Sequence, residues 1–268
     1  MDEAREGSNY GLREEIEAFW SERAASFDDS VGHEIFSEQE RAAWHALLRR
    51  HLGPGEGRRA LDLASGTGVV SHLLDDLGFA VTGLDVSPAM LERARAKARA
   101  RGRNIAFRLA DAERTMEDQG SFDVVVTRHL VWTLVDPAAA FAEWRRVLKP
   151  GGTLLVVDGD FVTVSAPERL LARLEAFAAR RGLAGAQAPA LAPDLAARHR
   201  AILSRVHFRD GARAPAVAAL LRTAGFRDIA IDRRLAPIHR AQARAMPLFK
   251  GLARRLQHRY AIRARRPD

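Results

Sequence analysis

The run Asp62-Leu63-Ala64-Ser65-Gly66-Thr67-Gly68 puts a carboxylate, two hydroxyls and two glycines within seven residues. Glycines at this density let a chain turn sharply and bring backbone N–H groups against a ligand. Alone, such a turn serves NAD, FAD, a sulfonium nucleoside or no ligand at all. Two details narrow the choice. The dinucleotide fingerprint asks for Gly or Ala at its third position, and here that position is Ser71. Asp62, ahead of the turn, suits a cationic group such as an ammonium and repels a pyrophosphate. Asp85 follows 17 residues after Gly68, where a carboxylate can accept both hydroxyls of a ribose. That feature fits NAD and a sulfonium nucleoside alike, so it argues for an adenosine nucleoside without choosing between them. Further on, Arg128 and His129 leave a valine-rich run. His129 is a candidate general base or acceptor-orienting group; its plainer role is a hydrogen bond to cofactor or backbone.

These residues need a scaffold of alternating strands and helices. Short apolar runs at 60–63, 80–84, 105–109, 122–127 and 153–158 read as strands. Helical stretches at 69–77, 87–100 and 136–148 separate them, with Ser87-Pro88 and Asp136-Pro137 as starts. Strict alternation implies a parallel sheet covered on both faces. Ahead of it, Ile16, Phe19, Trp20 and Arg23 fall at helical spacing, and Ser37 with Glu40 forms a capping box before a second helix that ends at Gly53-Pro54-Gly55. Beyond it, 160–212 breaks the rhythm at Gly182, Gly185, Pro189 and Pro193. A helix at 214–224, a strand at 228–235, a helix at 241–257 and a strand at 260–264 complete the chain. The expected organisation is a helical lid over 1–57, a nucleoside-binding core over 58–160, an inserted helical cap over 161–212 and the remainder of the core over 213–268.

In five places the chain resembles the class I S-adenosylmethionine (SAM)-dependent methyltransferases. They are Leu61 to Gly68, Gly83 to Leu91, Ala110-Asp111-Ala112-Glu113, Phe122 to Val126, and Val147-Leu148-Lys149-Pro150-Gly151-Gly152. The small-molecule branch, with its sugar O- and quinone C-methyltransferases, is most similar. The resemblance implies an α/β, Rossmann-like, doubly wound seven-stranded sheet, mostly parallel with the last strand antiparallel. It also implies SAM as methyl donor and S-adenosylhomocysteine (SAH) as product. By that resemblance Ala64, Ser65, Gly66, Thr67 and Gly68 cradle the methionine and ribose, Asp62 sits near the ammonium, and Asp85 holds the ribose. Val86 and Met90 pack on adenine. Asp111 accepts from its amino group, Ala112 presents its N–H, and Glu113 and Arg128 lie on the cofactor side. Many relatives carry a Tyr-Asp pair in the lid; here it is Phe27-Asp28, and Arg23 could take the SAM carboxylate instead. His33, Trp44, Trp132, Phe161, His207 and His239 could line the acceptor pocket.

Composition narrows the reading further. The chain has 268 residues, 47% hydrophobic and 28% charged, and no cysteine. Absence of cysteine excludes thiolate nucleophiles and disulfides, and no metal site is expected. No 18-residue apolar run occurs, and the acidic first residues are unlike a signal peptide, so a cytoplasmic protein is expected. The net charge of +8 is uneven: residues 1–40 carry twelve acids against three Arg, residues 211–268 fourteen cations against three Asp. The cations read mainly as solvated faces, with a functional basic surface as the alternative. An RNA methyltransferase therefore stays as a rival, although no Asn/Asp-Pro-Pro-aromatic tetrad follows the valine run. An NAD(P)-linked oxidoreductase and a non-catalytic SAM-binding protein are the others. A small-molecule acceptor and a monomer or homodimer are expected.

Overall fold

The computed structural model describes residues 3–181 and 192–268, with side chains from Gly11 onward in the first helix. Helix α1 (Glu3–Arg23) and α2 (Glu38–Leu52) precede the sheet. Then come β1 (Arg59–Leu63), α3 (Val69–Asp76), β2 (Ala80–Asp85), α4 (Pro88–Ala100), β3 (Ala106–Leu109), β4 (Phe122–Arg128), α5 (Pro137–Val147) and β5 (Leu148–Gly159). Helices α6 (Ala166–Arg180) and α7 (Pro193–Leu203) follow, then α8 (Ala214–Thr223), β6 (Arg227–Asp232), α9 (Ala236–Arg244), α10 (Leu248–Leu256) and β7 (Arg259–Arg265). Gly182, Gly185 and Pro189 lie outside the described residues.

The seven strands run in the order β3-β2-β1-β4-β5-β7-β6. Those from β1 to β5 pair in parallel, while β7 is antiparallel to both β5 and β6. This is the seven-stranded mixed sheet that the resemblance implies. Successive residues send side chains to opposite faces, so both faces are apolar. Val125 of β4 joins one core with Phe141 and Trp144 of α5, while Val124 and Val126 join the other with Leu73 and Leu74 of α3. Each such fully buried side chain stabilises the fold by about 1.5–3 kcal/mol relative to exposure. A third cluster joins Leu12 and Phe19 of α1 to Ile202 of α7 and Val206. It seats the N-terminal helix against the segment inserted after β5.

Helix starts follow their sequence signals. Ser37, Ser87 and Asp136 accept hydrogen bonds from Glu40, Met90 and Ala139 N–H. The box expected at Ser37 is only half made, because the Glu40 carboxylate accepts from Phe36 N–H and Gln242 instead. A full capping box forms at Ser165 with Glu168, a start not among those expected. Two expected elements differ. The helix expected over 241–257 is two, α9 and α10, because Pro247 lacks an N–H and bars helical backbone at Met246. The strand expected to reach Leu235 ends at Asp232, whose Oδ1 accepts from Arg234 N–H at 2.8 Å and turns the chain.

Strand order reverses between β1 and β4, and there the carboxyl ends of two adjacent strands open a crevice. The register sets Leu63 beside Thr127. Arg128 and His129 therefore emerge next to the turn that begins at Ala64.

Candidate functional site

The turn after β1 holds three left-handed residues, Ala64 at φ 52°, Gly66 at 55° and Gly68 at 87°. At Gly68 a side chain is excluded twice over: the backbone disfavours it, and a Cβ would meet Phe107 at 3.1 Å. Asp85 ties the turn to the end of β2. Its Oδ2 accepts from Gly66 N–H at 2.8 Å and its Oδ1 from Ser87 N–H at 2.9 Å. Burial pushes its carboxyl up to about 6, against the pull of those N–H groups. Asp62 lies beneath, 1% exposed. Burial raises it to about 7, opposed by the Ser71 hydroxyl, which donates to it at 2.6 Å, and by Arg128. Ser71, the residue that spoils the dinucleotide pattern, is thus the one that orients Asp62.

Beside this turn lies a slot of about 60 Å³, lined by Ala64, Asp85, Val86, Asp111, Ala112 and Glu113 with Arg13 and Ile16 of α1. Arg13 reaches Asp111 at 3.3 Å and Glu113 at 2.5 Å. Glu113 also accepts from Val135 N–H at 2.7 Å. Its carboxylate is therefore occupied in joining α1 to the segment before α5, whereas Asp111 keeps a half-open carboxylate.

A chamber of about 590 Å³ adjoins the slot along Ala64, Asp85 and Val86. Asp62, Ser65, Gly66 and Met90 line its inner wall; Trp20, Phe27, His33, Trp132, Phe161 and His199 line the rest. The rings touch in sequence: Phe27 stacks on His33 at 4.1 Å, Trp132 meets His199 at 5.7 Å and Phe161 at 5.2 Å. Arg128 lines the chamber too. It donates to His33 O at 3.1 Å and lies over Trp44 at 5.4 Å. Its buried Nη1 has no hydrogen-bond partner among the described residues.

His129 sits at φ 59°, in the left-handed region, at the chamber wall. Arg259 Nη1 lies 2.7 Å from its Nε2. A guanidinium can only donate, so Nε2 accepts and the ring proton resides on Nδ1. Burial, then Arg259 and Arg128, holds this imidazole well below its usual range. It is neutral, with its basic nitrogen already engaged. His33 is likewise held down to about 4 by burial and Arg128.

Most expected site residues converge, but not all. Arg23 bonds Ser26 at 3.2 Å and does not line the chamber. Thr67 turns toward the lid, donating to Asp28 at 2.5 Å and receiving Lys97 Nζ at 3.1 Å. Trp44 is buried in the core behind Arg128. His207 is exposed beside Phe208, and His239 is buried and does not line the chamber. Gly68 lines neither cavity either, its N–H donating to Ser65 O at 2.9 Å. These six are corrections to the expected lining, each forced by where its element packs. Sequence reasoning missed Arg254, Gln257 and Arg259 at the far wall, and Arg13, Trp20, Phe27 and His199. Only Trp20 and Phe27 carried a local signal, through helical spacing and the altered lid pair.

Comparison with known proteins places this geometry in a family. A methyltransferase domain matches residues 61–156. Demethylmenaquinone methyltransferase of Renibacterium salmoninarum is 35% identical over 170 residues, covering 59% of this chain and 70% of that protein. Ubiquinone biosynthesis O-methyltransferase of Caulobacter vibrioides is 38% identical over 104 residues, covering 38% of this chain and 41% of that protein. Among solved structures, geranyl diphosphate C-methyltransferase from Streptomyces coelicolor, in complex with magnesium, geranyl diphosphate and SAH, superposes with a TM-score of 0.59 at 16% identity. That match covers 95% of this chain and 98% of that one, and shows a shared fold. On the pairing of this sheet, this turn and these relatives, the chain belongs to the class I SAM-dependent methyltransferases.

Proposed function

We propose that the protein moves a methyl group from SAM to a small organic acceptor by in-line displacement in the chamber. The observation that carries this reading is continuity. The slot beside Asp111 and the aromatic chamber share Ile16, Ala64, Asp85, Val86, Leu130 and Thr133 as lining residues, so one ligand can run from slot to chamber.

The residues present fit SAM. A carboxylate offers about four acceptor positions, and Asp85 spends two on backbone N–H groups, which leaves two for ribose hydroxyls. Ser65 Oγ and Arg128 Nη1 are buried without partners among the described residues, as expected of groups that await a polar ligand. Asp62 would hold the ammonium, Arg128 the carboxylate, and Val86, Met90 and Asp111 the adenine. When bound, SAM supplies a methyl on a sulfonium, already activated for transfer.

The chain's remaining task is positioning and the exclusion of water. Orientation can lower such a barrier by up to about 7–11 kcal/mol. The aromatic wall from Trp20 to Phe161 holds the acceptor's apolar body. His129 contributes by fixing Arg259 rather than by taking a proton, because its basic nitrogen is engaged. Calorimetry with SAM, SAH and NADH, followed by a labelled-methyl screen of small acceptors, tests the reading. Tight SAH binding with no NADH binding is expected; the reverse result defeats the proposal.

A further inference from the structure

The far wall of the chamber is cationic, and neither of its arginines forms an ion pair among the described residues; Glu40 and Asp158 draw on them only from a longer range. Arg254 of α10 and Arg259 of β7 line the wall, together with Gln257 between them. Their bonds go to neutral acceptors. Arg254 donates to Val31 O at 2.9 Å and Gln257 Oε1 at 3.1 Å; Arg259 donates to Gln257 Oε1 at 3.1 Å and His129 Nε2. Arg254 Nε is buried with no partner among the described residues. Asp62 and Asp85 are the carboxylates among the lining residues, and both belong to the cofactor side.

Burying a cation without a partner is costly. The chain has 42 Lys and Arg, and most can stay in water, so two placed here call for a reason. Burial holds Arg254 down to about 10 against the pull of Glu40, and burial with Arg254 as neighbour holds Arg259 well below its usual range against the pull of Asp158. An anion between them would relieve both. Arg128, at the end of β4 and next to Asp62, remains for the cofactor's own carboxylate. Arg259 also lies over Phe161 at 5.1 Å, which joins the cationic corner to the aromatic wall.

We infer that the methyl acceptor is an amphiphilic organic anion, its carboxylate or phosphate held by Arg254 and Arg259 and its apolar body laid against Trp132 and Phe161. This rests on the methyltransferase reading above. Bidentate guanidinium contacts suit both anions.

The test begins with SAH binding to the wild-type protein, by calorimetry. No SAH binding would defeat the methyltransferase reading itself. With SAH bound, quenching of tryptophan fluorescence is followed as naphthoate, naphthyl phosphate and neutral naphthamide are added. One anion is expected to bind about 10-fold or more tighter than the amide, as one charge-assisted contact provides; which anion wins identifies the group. Arg254→Met and Arg259→Met should each erase most of that preference, and Arg259→Lys should keep part of it, with SAH affinity unchanged throughout. Equal binding of amide and anions overturns the inference while leaving the methyltransferase reading intact, and it requires no variant to fold. Failure of both anions to bind at millimolar concentration, a preference that survives both methionine variants, or a parallel loss of SAH affinity overturns it as well.

Discussion

Replacing Asp85 with Asn tests the cofactor seat at one atom. The carboxylate accepts from Gly66 and Ser87 N–H groups, at 2.8 and 2.9 Å. The amide keeps one acceptor oxygen and turns an NH₂ toward the other N–H. One backbone donor is left unpaired, which costs about 1–3 kcal/mol of stability. Binding suffers separately, because two hydroxyl-to-carboxylate bonds become weaker and one changes direction. Bonds to charged groups contribute about 1.5–3 kcal/mol each, so a loss of about 2–4 kcal/mol is expected, roughly 30- to 1000-fold in Kd for SAH. Calorimetry at a temperature well below the variant's Tm separates the two effects. A ribose-dideoxy analogue of SAH completes a double-mutant cycle: wild type should discriminate against it strongly and the variant hardly at all. If the folded Asp85→Asn protein binds SAH within about 3-fold of wild type, two bonds of that size are not being made and the seat is misplaced.

Other expectations follow from the same geometry. SAH affinity should fall as pH drops from about 8 to about 5.5, because Asp62 near 7 and Asp85 near 6 become protonated in the free protein and lose their hold on the ammonium and ribose; a pH-independent Kd would contradict this. His129→Ala should lower turnover roughly 10- to 100-fold by releasing Arg259, with SAH affinity preserved. At saturating SAM the wild-type kcat profile should show no limb near the usual histidine range; a limb there that vanishes in the variant would restore His129 as a base. Gly83→Ala places a Cβ 2.8 Å from the Phe107 ring and 3.0 Å from Ser65 Oγ. Overpacking of this kind costs about 1–3 kcal/mol, a fall in Tm of about 2–10 °C, and an unchanged melting curve would show that the Phe107 ring yields.

The proposed cofactor half of the site was legible because it is local. Asp62 to Gly68 is one turn, and Asp85 is fixed to it by one strand–helix–strand unit, so spacing in the sequence becomes distance in space. The acceptor half is not local. Arg259 reaches His129 across 130 positions, and nothing near Arg254 or Arg259 separates them from a dozen other cations in the same stretch. They read as solvated faces; the antiparallel strand β7 and helix α10 carry them inside. His129 was correctly placed at the strand end, yet its availability depended on a partner that only the fold supplies. Trp44 and His207 had suitable types and the wrong neighbours. Pro247 was visible in the sequence, and its weight as a breaker exceeded the apolar periodicity on either side of it.

Strand β7 lies between β5 and β6, although in order of synthesis it follows every other strand described. Until it leaves the ribosome, β5 has an open flank and β6 no neighbour, so the nascent sheet stays exposed to wrong pairing. The same strand carries Arg259. Closure of the sheet and completion of the proposed acceptor wall are therefore a single event, and a chain that stalls before residue 259 would lack one of the two cations of that corner.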